Sequence, residues 1–416
     1  MRFIYSFLIR CYGLFILIAS LFNRKAKRWI DGRRGLFSNL ENALKDIDRN
    51  QNPIIWFHVS SLGEFEQGRP VMEALRKRWP EKKLLLTFFS PSGYEVRKDY
   101  DQADFVFYLP LDTKRNAEKF VKIVHPEMVF FVKYDFWFNN IDAIHRNGLP
   151  LFFISVLFRK DQHFFKWYGA WTRSHLRFVT RFFVQNTESE ELLRSIGIQQ
   201  VTVAGDTRFD RVFAIAALQP SLPLIGMFCN GKRVFIAGST WEPDEAMIIP
   251  MIRKRSTDTK YIIAPHDTSP ERIRYIREHL DCPVVCFSRL NEESAVSADV
   301  LIIDSVGILA QLYRYADFAF IGGGFGGGIH NIQEPVTFGV PVFFGPNYSK
   351  FREARDLVGL GAAFVVTTPD ELEGTVARIS REPGEHQRLS GICRKYVEEN
   401  RGATEKIVGY VENVSS

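Results

Sequence analysis

The feature that most constrains this chain is a rhythm of short, unbroken apolar runs separated by stretches of helical spacing, and the rhythm occurs twice. In the first half the runs are Ile54–Val59, Leu84–Phe89, Phe105–Leu109, Met128–Val132, Leu151–Val156 and Phe182–Val184. Between them, Glu66–Arg78, Lys114–Val124 and Thr187–Ile196 carry helical spacing. A strand covered on one face alternates apolar with polar residues. A run that is apolar throughout predicts a strand buried on both faces, as in a parallel sheet sandwiched by helices. Alternating strands and helices therefore predict βαβ units.

Around Gln219–Gly226, with Pro220 and Pro223, the rhythm breaks. It restarts with Val234–Ala237, Tyr261–Ala264, Val284–Phe287, Val300–Ile303, Phe318–Ile321, Val342–Phe344 and Phe364–Val366. From about Pro369 to Val414 the chain is mostly helical and amphipathic. At 416 residues and 46% apolar, the chain is too long for one core and rich enough for two. The expected division is a membrane anchor with a basic segment (1–34), a Rossmann-like domain (35–218), a linker (219–228) and a second Rossmann-like domain with C-terminal helices (229–416). Two such halves facing each other make a cleft, and ligands of open parallel sheets gather at the carboxyl ends of strands.

The N-terminus predicts a membrane contact. Phe3 to Phe22 is largely apolar, interrupted by Arg10, and Arg24, Lys25, Lys27, Arg28, Arg33 and Arg34 follow. The unbroken run Cys11–Phe22 is shorter than the roughly 20 residues that cross a bilayer. A basic tail is also the wrong flank for a cleaved signal peptide. An anchor is favoured, either spanning with Arg10 snorkelling or lying in the interface with its cations on anionic headgroups. The net charge of +6 fits a protein that meets phosphates or anionic lipid, and fits chance surface composition equally well. Of the five cysteines only Cys282 and Cys286 lie close together, which matches neither a disulfide framework nor a zinc site. No metal site is expected.

The candidate site residues follow the apolar runs. After the first comes His58-Val59-Ser60-Ser61-Leu62-Gly63-Glu64, a strand, a small-residue turn and a helix start. Glu64 reads either as a helix-terminus carboxylate or as a general base. After the fourth run, Lys133-Tyr134-Asp135-Phe136-Trp137 suits a polar site; taken alone it reads better as an N-cap, Asp135, beside a packed Trp137. Arg208, in Gly205–Asp210, suits an anionic group or a surface ion pair. In the second half, Gly238-Ser239-Thr240-Trp241-Glu242, Pro265-His266-Asp267 and Asp304-Ser305-Val306-Gly307 close successive runs. Then comes the run Gly322–Gly328, rich in glycine, leading to His330-Asn331-Ile332-Gln333-Glu334. Such a run lets backbone N–H groups approach a phosphate, and a following helix start adds a favourable dipole. It lacks the Gly-Lys-Ser/Thr of a Walker loop and does not open a first dinucleotide-binding unit. Glu334 is placed to accept hydrogen bonds from a ribose.

Together, Ser61–Glu64, Gly205–Asp210, Gly238-Ser239-Thr240, Ala316-Asp317, Gly322-Gly323 and His330-Asn331-x-x-Glu334 resemble the 3-deoxy-D-manno-octulosonic acid (Kdo) transferases of lipopolysaccharide inner-core synthesis. The match runs from the anchor almost to the C-terminus. The resemblance implies an α/β chain of GT-B glycosyltransferase fold at the cytoplasmic face of the inner membrane. It implies a CMP-Kdo donor, a lipid A precursor acceptor, and no cofactor, metal or nucleic-acid partner. By the same resemblance Glu64 is the proton acceptor and Arg208 stabilises the transition state, while CMP contacts fall on Pro265, His266, Val306, Gly307, Ile308, Asn331, Ile332, Gln333 and Glu334. The chain departs from the family where a Glu-Thr-Glu-x-Trp segment is common. Lys133 stands for the first Glu and Asp135 for the second, so Asp135 takes over a supporting carboxylate role or Lys133 meets a phosphate. His266 stands where Arg is frequent. Competing readings are a UDP-sugar transferase or epimerase, separable by CMP against UDP inhibition, and a membrane-docked nucleotide-binding protein that releases no product.

Overall fold

The computed structural model describes residues 2–218 and 221–415. It contains two seven-stranded sheets, and every strand pair in them is parallel. The first sheet is built from β1 (Ile54–Val59), β2 (Lys83–Phe88), β3 (Phe105–Tyr108), β4 (Met128–Val132), β5 (Leu151–Val156), β6 (Arg181–Val184) and β7 (Val201–Val203), in the order β3-β2-β1-β4-β5-β6-β7. The second is built from β8 (Arg233–Thr240), β9 (Thr259–Pro265), β10 (Val284–Cys286), β11 (Val300–Ile302), β12 (Phe318–Ile321), β13 (Val342–Phe344) and β14 (Ala363–Val365), in the order β10-β11-β9-β8-β12-β13-β14. In each, the strand order reverses beside the first strand, the topological switch point where ligands of open α/β sheets collect.

Burial on both faces explains the unbroken apolar runs. In β1, Ile55, Phe57 and Val59 enter one core cluster, while Ile54 and Trp56 enter another on the opposite face. The strand β7 has no counterpart among the expected runs. It is a three-residue edge strand, Val-Thr-Val, in which only Val201 is buried.

The chain forms two compact units, residues 1–210 with 402–416, and residues 211–401. This differs from the expected division at two points. The second unit begins inside the helix Thr207–Leu218, so the segment 219–228 lies within that unit; it contains the helix Pro223–Cys229 with Ile225 and Phe228 buried. Gln219 and Pro220 lie outside the described residues. The last helix, Ala403–Ser415, belongs to the first unit. Ala403, Ile407 and Val411 are buried in the core beside Phe57 and Phe152. Asp210 caps its start, accepting from the N–H groups of Gly402 at 2.6 Å and Thr404 at 2.7 Å. A carboxylate at a helix N-terminus satisfies orphan donors and complements the dipole.

At the N-terminus, α1 (Arg2–Ala19), α2 (Arg24–Asp31) and α3 (Leu36–Leu44) precede the first sheet. Among the described residues no single helix is long and apolar enough to cross a membrane; α1 from Phe3 and α2 pass that test only as a pair, bent by 119°. Tyr5 of α1 donates to the buried carboxylate of Asp112 at 2.5 Å, and Ile16 is buried. Arg33 does not face outward with the other basic residues. Its guanidinium stacks 3.7 Å from the Trp29 ring and donates to the carbonyls of Trp29, Phe89 and Leu109, and burial lowers its pKa to about 9.

Candidate functional site

In the first unit the candidate residues converge where β1, β4 and the helix Thr207–Leu218 meet the start of α4 (Leu62–Arg78). Ser61 is the N-cap of α4 and Glu64 its third helical residue, and the two form a capping box. Glu64 Oε2 accepts from the Ser60 N–H at 2.6 Å and the Ser61 N–H at 3.0 Å. The helix-terminus role is therefore real. It does not exhaust the carboxylate, because both bonds land on one oxygen. Burial raises the Glu64 pKa, against the opposing pull of these N–H groups and of the Lys133 charge. A carboxylate held in fixed geometry and made more basic than usual suits proton abstraction.

Asp135 is not a helix cap. The N-cap of the following helix, Phe138–Arg146, is Trp137, without a side-chain cap bond. Asp135 is buried instead, and accepts from the Ser60 hydroxyl at 2.5 Å. Ser60 thus holds both carboxyl groups, Glu64 by its N–H and Asp135 by its hydroxyl. Burial first and the Glu64 charge second push the Asp135 pKa well above the usual carboxylate range. Its other oxygen lies 3.4 Å from Nε2 of His58. His58 is fully buried and neutral, its pKa lowered by burial to about 3. Its Nε2 accepts from the Trp137 indole at 3.0 Å, so Nδ1 carries the proton towards Thr87 Oγ1 at 2.9 Å. Trp137 packs against Phe89 at 4.4 Å, as a packed Trp should.

Lys133 closes β4 with φ of 65°, a left-handed conformation that costs a residue with a Cβ roughly 1–2 kcal/mol. Such outliers persist where surrounding structure imposes them. Its charge acts on Glu64. Arg208 is tied to Asp206 through Nε at 2.9 Å and Nη2 at 2.6 Å. Burial alone would raise the Asp206 pKa; the Arg208 charge and hydrogen bonds hold it low. Gln67 of α4 also donates to Asp206, at 3.2 Å. The ion pair thus fixes the guanidinium from a buried anchor. Tyr134 feels both Arg208 and Glu64. The structure brings Glu64, Lys133, Asp135 and Arg208 into one neighbourhood.

The aromatic and basic stretch after β5 divides. Arg159, Lys160 and Trp167 are exposed. Phe164 is buried, Trp171 packs on Tyr5 and Phe138, and Arg173 donates to the carbonyls of Phe164 and Lys166, so these three hold the fold.

In the second unit the candidates lie at the carboxyl ends of β8, β9, β11 and β12. An aromatic stack joins three of these ends: Trp241 lies 4.4 Å from His266, which stacks on His330 at 4.7 Å, and the Trp241 indole donates to His330 Nε2 at 3.1 Å. Burial, then His266, lowers the His330 pKa. Neither Trp241 nor His330 was among the expected contacts, although each directly follows a strand or glycine turn. The glycine run differs from expectation in one respect. The N–H groups of Gly322, Gly326, Gly328 and His330 bond to carbonyls of Gly238 and of the run itself, and that of Gly323 donates to Asp244 at 2.8 Å. Much of its donor capacity is thus spent internally. Gly322 is required for packing, since a Cβ there would lie 2.1 Å from the Ser239 carbonyl.

Glu334 lies in the first turn of the helix Gln333–Thr337. Asn331 donates to its Oε1 at 2.9 Å and accepts from the Gln333 N–H at 3.0 Å, so Asn331 orients the carboxylate and ties it to the first residue of the helix. Gln333 is buried, and neither atom of its amide has a hydrogen-bond partner among the described residues. Such a group is expensive unless a ligand or water completes it. Val306 is 91% exposed beside Gly307 and Ile308 on the loop after β11. Asp304 turns away to Ser288.

Residues 30–211 match the family model described as 3-deoxy-D-manno-octulosonic-acid transferase (kdotransferase). The chain is 25% identical to the 3-deoxy-D-manno-octulosonic acid transferase of Haemophilus influenzae, over 98% of this chain and 97% of that protein. It is 26% identical to the enzyme of that name from Aquifex aeolicus, over 79% and 86%. A putative UDP-N-acetylglucosamine 2-epimerase from Listeria monocytogenes superposes with a TM-score of 0.58 at 13% identity, over 88% of this chain and 97% of that one. The likeness to that structure shows the fold, which is GT-B-like: two parallel sheets flanked by helices. The chain is thus similar, over most of its length, to the Kdo-transferase family of glycosyltransferases.

Proposed function

We propose that the chain is an inverting glycosyltransferase that moves Kdo from CMP-Kdo to a hydroxyl of a lipid A precursor. The observation that carries the reading is Glu64, a carboxylate pinned through one oxygen by two backbone N–H groups and made more basic by burial. The acceptor hydroxyl oxygen forms the new bond to the anomeric carbon. The bond from that carbon to the CMP phosphate breaks, its electron pair leaves with CMP, and Glu64 takes the hydroxyl proton. Arg208 offers a fixed positive charge to the leaving phosphate. That phosphate is single, so the reaction is proposed to need no metal. Pro265, His266, Val306–Ile308 and Asn331–Glu334 hold CMP, with Glu334 on the ribose.

The family name and the capping geometry of Glu64 support the transferase reading. The orphaned Gln333 amide supports a ligand at the second unit. The exposed apolar residues of α1 and the basic residues of α2 support attachment to the cytoplasmic face of the inner membrane. Arg159, Lys160 and Trp167 extend the surface offered to the acceptor. The test is incubation of the full chain with CMP-Kdo and a tetra-acylated lipid A precursor, with mass spectrometry of the lipid. A product heavier by Kdo, undiminished by a chelator and inhibited by CMP but not UDP, is the expected result. No mass increase with CMP-Kdo, or inhibition by UDP instead, would sink the assignment.

A further inference from the structure

Between α1 and the α2–α3 pair runs a cavity of about 470 Å³ that the transfer chemistry does not use. Its walls include Leu14, Leu17, Ile30, Phe37 and Leu111, with Trp29 on one side and Arg10 also lining it. The protein does not close this space: Leu14 is 58% and Leu17 51% exposed. The volume lies within the range of about 300–1,000 Å³ usual for small-ligand pockets.

Three observations say what fills it. First, the wall helix α1 continues outward into exposed Phe3, Phe7, Leu8, Phe15 and Ile18. A contiguous apolar face of that kind is rarely left to water, and on an N-terminal helix followed by basic residues it matches a helix lying in a lipid interface. The cavity therefore opens beside acyl chains. Second, the charge nearby is positive. Arg10 is exposed, α1 carries no acidic residue, and Arg24, Lys25, Lys27 and Arg28 of α2 are exposed as well. Arg33, by contrast, is spent on backbone carbonyls. Third, the Trp29 ring lines the cavity although the protein buries it, so its indole lies against whatever fills the groove.

We propose that this groove holds one acyl chain of an anionic phospholipid drawn from the bilayer, with the headgroup phosphate on Arg10. Arg10 then has a purpose inside an otherwise apolar helix. The proposal rests on the membrane-surface reading and adds an occupant to it.

The experiment uses the full chain and vesicles of phosphatidylglycerol brominated in mid-chain, since bromine quenches an indole it touches. The emission of Trp29 is taken as the difference between the native chain and Trp29→Phe, which keeps a ring under Arg33. The expected result is loss of most of that emission on vesicle binding. A Leu14→Phe/Leu17→Phe double variant, which fills the groove, should still sediment with vesicles yet keep its Trp29 emission. Arg10→Gln should reduce the preference for phosphatidylglycerol over brominated phosphatidylcholine. Sedimentation with vesicles and an unquenched Trp29 would overturn the groove while leaving the membrane reading intact. Failure to sediment at all would overturn the membrane reading itself. Equal quenching by both phospholipids in the native chain would remove Arg10 from the account. Quenching by a lipid A precursor with brominated chains, and not by phospholipid, would replace the proposed occupant with the acceptor.

Discussion

The two units treat their candidate residues in opposite ways. In the first, each group is already held by the protein: Glu64 by two N–H groups, Asp135 by the Ser60 hydroxyl, Arg208 by Asp206 and His58 by Trp137. In the second, Asn331 already holds Glu334, but other groups stand incomplete. Val306 is 91% and Trp241 44% exposed, and the Gln333 amide is buried without a partner among the described residues. The contrast separates a group that must be in position before reaction from groups whose surroundings a ligand completes. It predicts that substitutions in the first unit act on turnover and those in the second on donor affinity.

The sharpest way to break that contrast is Glu64→Gln. Glutamine also serves in a capping box, so the start of α4 survives while the base is lost. Turnover should fall by about 10²–10⁴-fold, as for loss of a general base. CMP affinity measured by calorimetry should stay unchanged. Normal turnover, or a matching loss of CMP binding, would defeat the division of labour. In the native chain the rate should rise with pH as Glu64 deprotonates, with a midpoint above that of an ordinary carboxylate, because burial raises its pKa.

Arg208→Ala comes next. Removing a donor that meets charge developing in the transition state costs about 10²–10³ in kcat. The substitution also leaves the buried Asp206 carboxylate without its ion-pair partner, so the melting temperature should fall too. Arg208→Ala/Asp206→Asn should recover stability and not rate. Recovery of both would make Arg208 a purely structural partner.

Glu334→Gln tests the other unit. Losing a charged acceptor for a ribose hydroxyl should weaken CMP by about tenfold to a hundredfold, the worth of a hydrogen bond to a charged group. The Gln carbonyl can still accept from Asn331, so folding and kcat at saturating donor should hold. A fall in kcat with CMP affinity intact would reverse the assignment.

What the sequence made legible followed from local pattern. Continuous apolar runs reported strands covered on both faces, and a strand, small-residue turn and helix start reported Glu64. What it concealed depended on partners far along the chain. Asp135 reads as a cap until Ser60, 75 residues earlier, is found donating to it. The last helix reads as part of the second half because its cap, Asp210, lies 192 residues before Gly402. Arg33 reads as one more surface cation because its cage comes from Phe89 and Tyr108 as well as Trp29. The glycine run reads as freedom to approach a phosphate, whereas Gly322 answers to packing against Ser239.

The smallest predicted effect probes the pre-set character of the first unit through pH. His58 has a folded pKa of about 3 against an ordinary 6.5, so between these values the unfolded chain binds a proton that the folded chain refuses. Its contribution to stability is therefore complete above pH 6.5 and is lost as pH falls towards 3, at about 1.4 kcal/mol for each pH unit. Asp112, raised to about 6, and Asp135, also raised, work in the other direction over the same range, because the folded state then holds the extra proton. The native melting curve alone thus mixes both signs. The difference between the native chain and His58→Gln isolates the histidine: the variant starts less stable at pH 7.5, having lost buried hydrogen bonds, and the gap should narrow steadily as the pH is lowered from 6.5 to 5. A gap that stays constant would mean that His58 takes up its proton in the folded chain as readily as in the unfolded one. In that case Nε2 would donate to Asp135, the Trp137 indole would lose its acceptor, and Asp135 would stand ionised beside Ser60 rather than protonated and neutral.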